Sequence, residues 1–83
     1  MTELLNTPIE VRTRDDGAPT ALRIPQRGWR DVERTTNRWL VEADWWRDPV
    51  LREYRRVLTS DGECYELFRD LLDNRWYIGR RYD

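Results

Sequence analysis

The amino-acid sequence predicts an all-β domain, a small antiparallel meander of about six strands curled into a partly open barrel. Apolar and polar residues alternate with a period of two in several short segments, and Asp-Gly pairs mark two tight turns. No segment has the periodicity of a long amphipathic helix. Because a sheet of this size has an apolar face to bury, we expect it to curl on itself.

The length and composition predict a single domain. A chain of 83 residues buries a modest core, but an aromatic fraction of 12% compensates, since one buried indole removes on the order of 200 Å² from water. The first residues show no pattern. We therefore predict a loose N-terminus over residues 1–7 and one all-β domain over residues 8–83.

The charges are balanced, and this limits the classes of partner. All 15 basic residues are arginines, and 16 carboxylates leave a net charge of -1. A GC-rich genome could explain the preference for arginine, and so could guanidinium binding to phosphates or aromatic rings. The balance gives no support to a protein that coats nucleic acid.

The cysteine content and the hydropathy pattern predict a location. Cys64 is the single cysteine, which rules out an intrachain disulfide and favours a reducing compartment. The sequence has no secretion signal and no apolar run of membrane-spanning length. We expect a cytoplasmic protein with no membrane partner.

The stretch from Arg38 to Trp46 is the most informative segment. It contains three of the five tryptophans, and alternation places Trp39, Val41, Ala43 and Trp45 on one side of a strand. The other predicted strands are Ile9–Arg14, Thr20–Ile24, Gly28–Arg34, Leu51–Thr59, Cys64–Asp70 and Arg75–Tyr82.

Turn residues set the boundaries of these strands. Residues 15–17 (Asp-Asp-Gly) and residues 61–62 (Asp-Gly) predict hairpins, and residues 71–74 form a connection. Pro25 and Pro49 are expected to break strands, because proline cannot donate a ladder hydrogen bond. The segment 26–37 fits either a helical turn or an irregular strand with a bulge, and we favour the strand, joined by polar residues 35–37 to the tryptophan strand.

The residue inventory argues against catalysis. The chain has no histidine, which removes the usual activating base and the commonest metal ligand. Cys64 fits a small buried thiol better than a nucleophile. Glu42 and Asp44 could form a carboxylate pair, but such pairs on a strand usually meet arginines across the ladder. We expect no enzyme activity, no cofactor and no metal site.

Binding to a protein is a better hypothesis. Trp45 and Trp46 are adjacent, so in a regular strand their rings point to opposite faces and one of them lies outside a single core. A bulge at this pair would instead turn both inward. Because tryptophan and arginine are enriched at binding hot spots, we predict a partner-binding site at Trp45, Trp46, Arg47 and Tyr77.

Binding to single-stranded DNA is the alternative. Arginines and aromatic residues are interleaved late in the chain, as in proteins that stack bases and neutralise phosphates. The same residues could equally stabilise the sheet through cross-strand pairs without any ligand. The candidate nucleic-acid-binding residues are Tyr54, Arg55, Arg56, Arg80 and Arg81.

Several motifs in sequence order carry a family resemblance. They are Asn37-Arg38-Trp39-Leu40-Val41, Trp45-Trp46, Glu66-Leu67-Phe68-Arg69-Asp70 and Arg75-Trp76-Tyr77. This order resembles a small bacterial domain family of unassigned function and the C-terminal region of ImuB-type proteins, which are catalytically defective relatives of Y-family DNA polymerases. This chain differs from the latter in having no polymerase body. The resemblance implies an association with DNA repair or translesion synthesis, and a partner from the mutagenesis machinery.

Overall fold

The computed structural model describes residues 3–45 and 48–82 of the chain, without the side chains of residues 3, 4 and 45, and these residues form an all-β fold. None of them forms a helix with the length and apolarity that a membrane span requires. The strands in chain order are β1 (Glu3–Ile9), β2 (Val11–Thr13), β3 (Pro19–Ile24), β4 (Gly28–Trp45), β5 (Asp48–Thr59), β6 (Cys64–Asp70) and β7 (Arg75–Tyr82).

The strands form one antiparallel sheet in the order β1-β7-β6-β5-β4-β3-β2. Its two edge strands, β1 and β2, are consecutive in the chain and separated only by Glu10. The Glu10 carbonyl accepts a hydrogen bond from the Arg23 amide at 2.9 Å. The sheet is thereby curled into a half-barrel, which confirms the predicted fold class, with seven strands in place of about six.

The core lies on the inner, concave face of this sheet. Alternation predicts Leu22, Ile24, Tyr65 and Leu67 to point inward, and all four are buried. The complete buried cluster is Leu22, Ile24, Val57, Tyr65, Leu67 and Ile78, with Ile9, Val11, Val32 and Trp76 packed against it. Side chains from β3, β5, β6 and β7 therefore meet in one apolar centre.

Both predicted Asp-Gly turns are present. Gly17 and Gly62 have φ values of 86° and 87°, which glycine adopts without the steric cost that a Cβ would add. The Gly17 amide donates to Arg14 and the Gly62 amide donates to Thr59, at 2.9 and 3.0 Å. These turns join β2 to β3 and β5 to β6.

The expectation of a loose start over residues 1–7 needs correction. β1 begins at Glu3, and it pairs with β7 from Glu3 opposite Arg81 to Ile9 opposite Trp76. The alternation is hidden because the register shifts between Leu4 and Thr7, where Asn6 has a φ of 44°. Residues 3–9 are part of the sheet, and residues 1 and 2 lie outside the described residues.

The strands predicted at Gly28–Arg34 and 38–46 are continuous in the structure as far as Trp45, and residue 46 lies outside the described residues. β4 has 18 residues and includes the polar segment 35–37. Register shifts against β5 occur between Val32 and Arg34 and between Thr35 and Asn37. These irregularities interrupt the period of two, and this is why the sequence predicts a break there.

Pro49 does not break a strand. It is the second residue of β5 and lies opposite Asp44 of β4. Pairing of β5 with β6 begins only at Arg52, so within the described residues no strand pairs with β5 on its other side at Pro49. A proline is tolerated there because one side of the strand carries no ladder.

The last strand also differs from the prediction. Alternation places Trp76, Ile78 and Tyr82 on one face, but a register shift opposite Gly79 moves Tyr82 to the other face. Tyr82 lies across from Cys64, while Ile78 lies across from Leu67 in the core. A bulge inserts one residue and so reverses the faces of all that follow it.

Candidate interaction surface

A row of aromatic rings crosses the outer, convex face of the sheet. The register places Trp39 opposite Tyr54, Tyr54 opposite Phe68, and Phe68 opposite Tyr77. The ring centroids are 5.3, 5.1 and 4.9 Å apart in that order. We call these four residues the outer aromatic row.

The rings of this row pack against each other and not outward. The planes of Trp39 and Tyr54 are within 9° of parallel, and those of Phe68 and Tyr77 are within 16°. Phe68, in the middle, is only 3% exposed. Neighbouring rings cover the faces of Tyr54 and Phe68, the two middle members of the row. Only the edges of these two rings therefore remain open to solvent or a ligand.

Two arginine side chains pack on aromatic rings of the outer face. The Arg52 guanidinium lies 4.5 Å from the Phe68 ring centroid and donates to the Tyr54 hydroxyl at 3.3 Å. Arg56 lies 4.6 Å from the Tyr82 centroid and donates to the Tyr82 hydroxyl at 3.2 Å. Both cations are therefore engaged with rings of the same face.

A carboxylate completes this network. The Tyr82 hydroxyl donates to Glu66 Oε1 at 3.0 Å, and Arg80 Nε lies 3.4 Å from Glu66 Oε2. Glu66 is buried, although it lies on the outer face. Its charge is balanced locally by Arg80 and by the hydroxyl bond.

The residues predicted to bind nucleic acid do not form one surface. Tyr54, Arg56 and Arg80 lie on the outer face. Arg55 and Arg81 lie on the inner face, opposite Leu67 and Tyr65. Arg55 is only 8% exposed, so the set is divided between the two faces of the sheet.

Arg55 belongs to an inner ion-pair cluster. Its Nη2 atom lies 2.9 Å from Glu53 Oε1, and Arg38 Nη2 lies 2.9 Å from Glu53 Oε2. Burial alone would raise the pKa of Glu53, but hydrogen bonds from Arg38 and Arg55 outweigh it and lower the pKa below its ordinary value of 4.5. The cluster fixes the base of the β4–β5 hairpin.

The predicted partner-binding residues are only partly described. Trp46 and Arg47 lie outside the described residues, as does the side chain of Trp45, whose backbone ends β4 opposite Asp48. Tyr77 is half-buried in the outer aromatic row. Tyr77 and Trp45 are not neighbours, because two strands intervene and Trp45 lies six residues beyond Trp39, or about 20 Å along the strand.

Tyr77 is also held by its own hairpin. Its hydroxyl donates to Asp73 Oδ2 at 3.1 Å, and this bond raises the pKa of Tyr77. The ring contact with Phe68 and the bond to Asp73 together fix the side chain. A structural role explains all of its described contacts.

The β4–β5 hairpin extends beyond the rest of the sheet, and we call residues 38–45 and 48–53 the β4–β5 arm. The pairing of β4 with β3 ends at Asp31, and the pairing of β5 with β6 begins at Arg52. Leu40 on the arm is 56% exposed. Five other apolar side chains of the arm are half-buried, and they are Trp39, Val41, Ala43, Val50 and Leu51.

The candidate carboxylate pair also lies on this arm. Glu42 and Asp44 are exposed and lie opposite Leu51 and Pro49, so arginines do not face them directly across the ladder as expected. In the part of the chain that the structure describes, no group of three carboxylate or thiol side chains is arranged to hold a metal ion. Their position makes them a charged margin of the apolar arm.

A groove lies at the junction of β1 and β2. It has a volume of about 540 Å³ and is lined by Ile9, Val11, Trp29 and Trp76 among others. The Arg12 guanidinium lies 4.3 Å from the Trp29 ring centroid. This groove is open and shallow, and the predicted site residues are absent from its lining.

Sequence reasoning missed Phe68 and the row built around it. A signal was present, because apolar residues occupy consecutive positions at Leu67-Phe68 and Trp76-Tyr77. In a strand, consecutive apolar residues imply that both faces are covered. Which strands supply the covering rings depends on the register.

Comparison with known proteins adds no family. The chain matches no family model, no curated protein and no solved structure. The resemblance to ImuB-type proteins therefore stays a prediction from the sequence motifs.

Proposed function

We propose that this domain is a non-catalytic interaction module that binds a protein partner through the β4–β5 arm. The observation that carries the proposal is the arm itself, which extends past its neighbouring strands and carries Val41, Ala43 and Val50 on its outer face. Their half-buried side chains form an apolar strip, and Arg52 lies on the same face opposite Val41. An apolar centre with a charged rim is the composition of a protein interface.

The tryptophan pair strengthens this choice of surface. Trp45 is the last residue of β4, and Trp46 and Arg47 follow it in the sequence before β5 begins at Asp48. Tryptophan and arginine carry a large share of the binding energy at interfaces. The partner site that we propose therefore keeps these three residues and exchanges Tyr77 for the arm residues Val41 and Val50.

The biological setting comes from the resemblance alone. If the domain acts with ImuB-type proteins, its partner is a protein of the bacterial mutagenesis machinery, and it works in the cytoplasm during DNA repair or translesion synthesis. A polymerase-like chain of that machinery is the first partner to test.

Direct binding of single-stranded DNA is supported less well. Base stacking needs open ring faces, but the rings of the outer aromatic row are stacked in pairs, Trp39 on Tyr54 and Phe68 on Tyr77. Arg52, Arg56 and Arg80 are engaged with rings or with Glu66. A fluorescent oligonucleotide titration tests this alternative, since phosphate contacts predict an affinity that falls steeply with salt.

The test of the main proposal is a binding titration with the purified polymerase-like protein. Val50 lies opposite Ala43 on the arm, and Val50→Asp places a charge in the proposed apolar centre. We expect the affinity to fall by about tenfold or more while the melting temperature stays within a few degrees. Trp46→Ala should act in the same way.

The matched control is Leu72→Asp. Leu72 is another exposed apolar residue, 60% exposed in the turn between β6 and β7, and its substitution should leave partner affinity unchanged. If Val50→Asp and Leu72→Asp bind as well as the original domain, the arm is not the interface. If Trp46→Ala unfolds the domain, Trp46 is a core residue and does not anchor a partner.

A further inference from the structure

The edge of β4 that faces away from β5 is unpaired over most of its length. β3 covers β4 only from Gly28 to Asp31, and no other described strand pairs with that side as far as Trp45. Alternate backbone N–H and C=O groups along such an edge point away from the sheet. They are the groups with which another strand pairs.

This edge lacks most of the devices by which proteins block strand addition. Between Asn37 and Ala43 it has no proline or glycine, and its two charged residues, Arg38 and Glu42, are opposite in sign. Its register against β5 is continuous there, since both shifts lie before Asn37. A bulge, a proline or a row of like charges would discourage pairing, so this segment is open to it.

The segment is also complementary to itself. If two copies pair antiparallel about a two-fold axis at Leu40, Arg38 of each copy lies opposite Glu42 of the other. Trp39 then lies opposite Val41, and the two exposed Leu40 side chains face each other. Opposite charges and large apolar pairs are the favourable cross-strand combinations.

The register is selective. Moving the axis by one residue in either direction places Leu40 opposite Arg38 or opposite Glu42, which loses the apolar pair. Arg38 already donates to Glu53 through one nitrogen, but a guanidinium has five N–H donors. It can therefore keep that bond and also reach Glu42 of a second copy.

We propose that two copies of this chain associate through antiparallel pairing of their β4 edges, centred on Leu40. The two sheets then form one continuous sheet about an isologous two-fold contact. This inference goes beyond the proposed function, because it concerns the edge of the arm and leaves the Val50 side of the hairpin uncovered. The dimer presents two partner-binding arms side by side.

The test uses charge reversal, with sedimentation velocity over a range of protein concentrations. The original chain should form a dimer. Glu42→Arg should be a monomer because Arg38 then faces an arginine, and Arg38→Glu should be a monomer because two glutamates meet. Each should weaken self-association by about tenfold or more. Mixed together, the two variants should form a heterodimer, since every pair in it is again opposite in charge.

A control and a second measurement separate this result from misfolding. Asp15→Arg makes the same charge change in the β2–β3 turn and should leave the dimer intact. Hydrogen exchange of the original chain should show that protection of the amides of residues 37–43 increases with protein concentration. A chain that remains monomeric at every concentration contradicts the proposal, and so does a dimer that Glu42→Arg leaves unchanged.

Discussion

Phe68 is buried on the outside of a curled sheet. Its ring is enclosed by Tyr54 and Tyr77 on the neighbouring strands and by the Arg52 guanidinium. Cross-strand aromatic contacts of this kind add to the gain from burial. The domain thus has a second, small apolar layer on its convex face.

This layer predicts the effect of Phe68→Ala. Because truncating a buried phenylalanine loses both burial and packing, the free energy of unfolding should fall by about 3 kcal/mol. Urea denaturation measures the change. Leu72→Ala, at an exposed position, is the control and should change stability by less than about 0.5 kcal/mol. A loss similar to that of the control would mean that the row contributes nothing.

Glu53 gives a second prediction. Burial alone would raise its pKa, but the hydrogen bonds from Arg38 and Arg55 outweigh burial and lower the pKa. A carboxylate with a lowered folded-state pKa stabilises the fold above its unfolded pKa and loses that contribution as pH falls through the folded value. Glu53→Gln should therefore cost on the order of 2 kcal/mol near neutral pH, since it leaves Arg55 buried without its counter-ion.

The pH dependence identifies the cause. The difference between the original chain and Glu53→Gln should shrink as pH falls from the ordinary pKa of 4.5 through the lowered folded-state pKa, below which the original carboxylate is also neutral in the folded chain. Thermal melts across the acid range measure it. A difference that stays constant with pH would show that Glu53 acts through packing and not through its charge.

At the level of single residues, alternation predicted the burial of residues on the inner face well and the burial of residues on the outer face poorly. Tyr65 and Leu67 are in the core as expected, because the period of two is a local property of β6. The burial of Phe68 could not be read in the same way. Its covering side chains come from β5 and β7, and only the register brings them to it.

Among the elements, the β5–β6 hairpin is the most clearly encoded. Its turn depends on Gly62, whose φ is 87° and around which a Cβ would find nothing within 4 Å. The cost of Gly62→Ala is therefore conformational, and we expect about 1–2 kcal/mol from the left-handed geometry.

Gly62→Asn is the matched variant for this turn. Asparagine tolerates positive φ better than alanine does, so it should retain a larger part of the stability. Chemical denaturation of the two variants measures the difference. Equal losses for both would mean that the φ at Gly62 is not what limits this hairpin.

The element that sequence reasoning described least well is β4. The expected break at residues 35–37 is a pair of register shifts within one strand, and shifts of this kind remove the alternation by which strands are recognised. Pro49 shows the reverse error. A proline normally ends a strand, but here the pairing of β5 with β6 has not begun, so it is accommodated.

For the whole molecule, the decisive feature is how the chain closes its sheet. The segment from Glu3 to Thr13 pairs with β7 over its first part and with β3 over its last part. This places the two sheet edges next to each other around Glu10. A local pattern could predict a curled sheet, but not that the apparently patternless N-terminus supplies the closing segment.

Most of the β4–β5 arm lies outside this closed part of the sheet, because β3 pairs with β4 only as far as Asp31 and β6 pairs with β5 only from Arg52. The predicted tryptophan site belongs to this arm by sequence, whereas Tyr77 belongs to the outer aromatic row. The tryptophan segment stays a predicted binding surface, because Trp46, Arg47 and the side chain of Trp45 lie outside the described residues. The sequence could not separate it from Tyr77, since the distance between the two places depends on strand order.

Amide chemical-shift mapping of the labelled domain tests the central claim most directly. On titration with the purified polymerase-like protein, the shifts should concentrate in residues 38–53, and a single-stranded oligonucleotide at the same concentration should leave these residues unchanged. Shifts confined to the groove between Trp29 and Trp76, or shifts that arise only with the oligonucleotide along Arg56 and Arg80, would contradict the assignment of the arm as the binding surface.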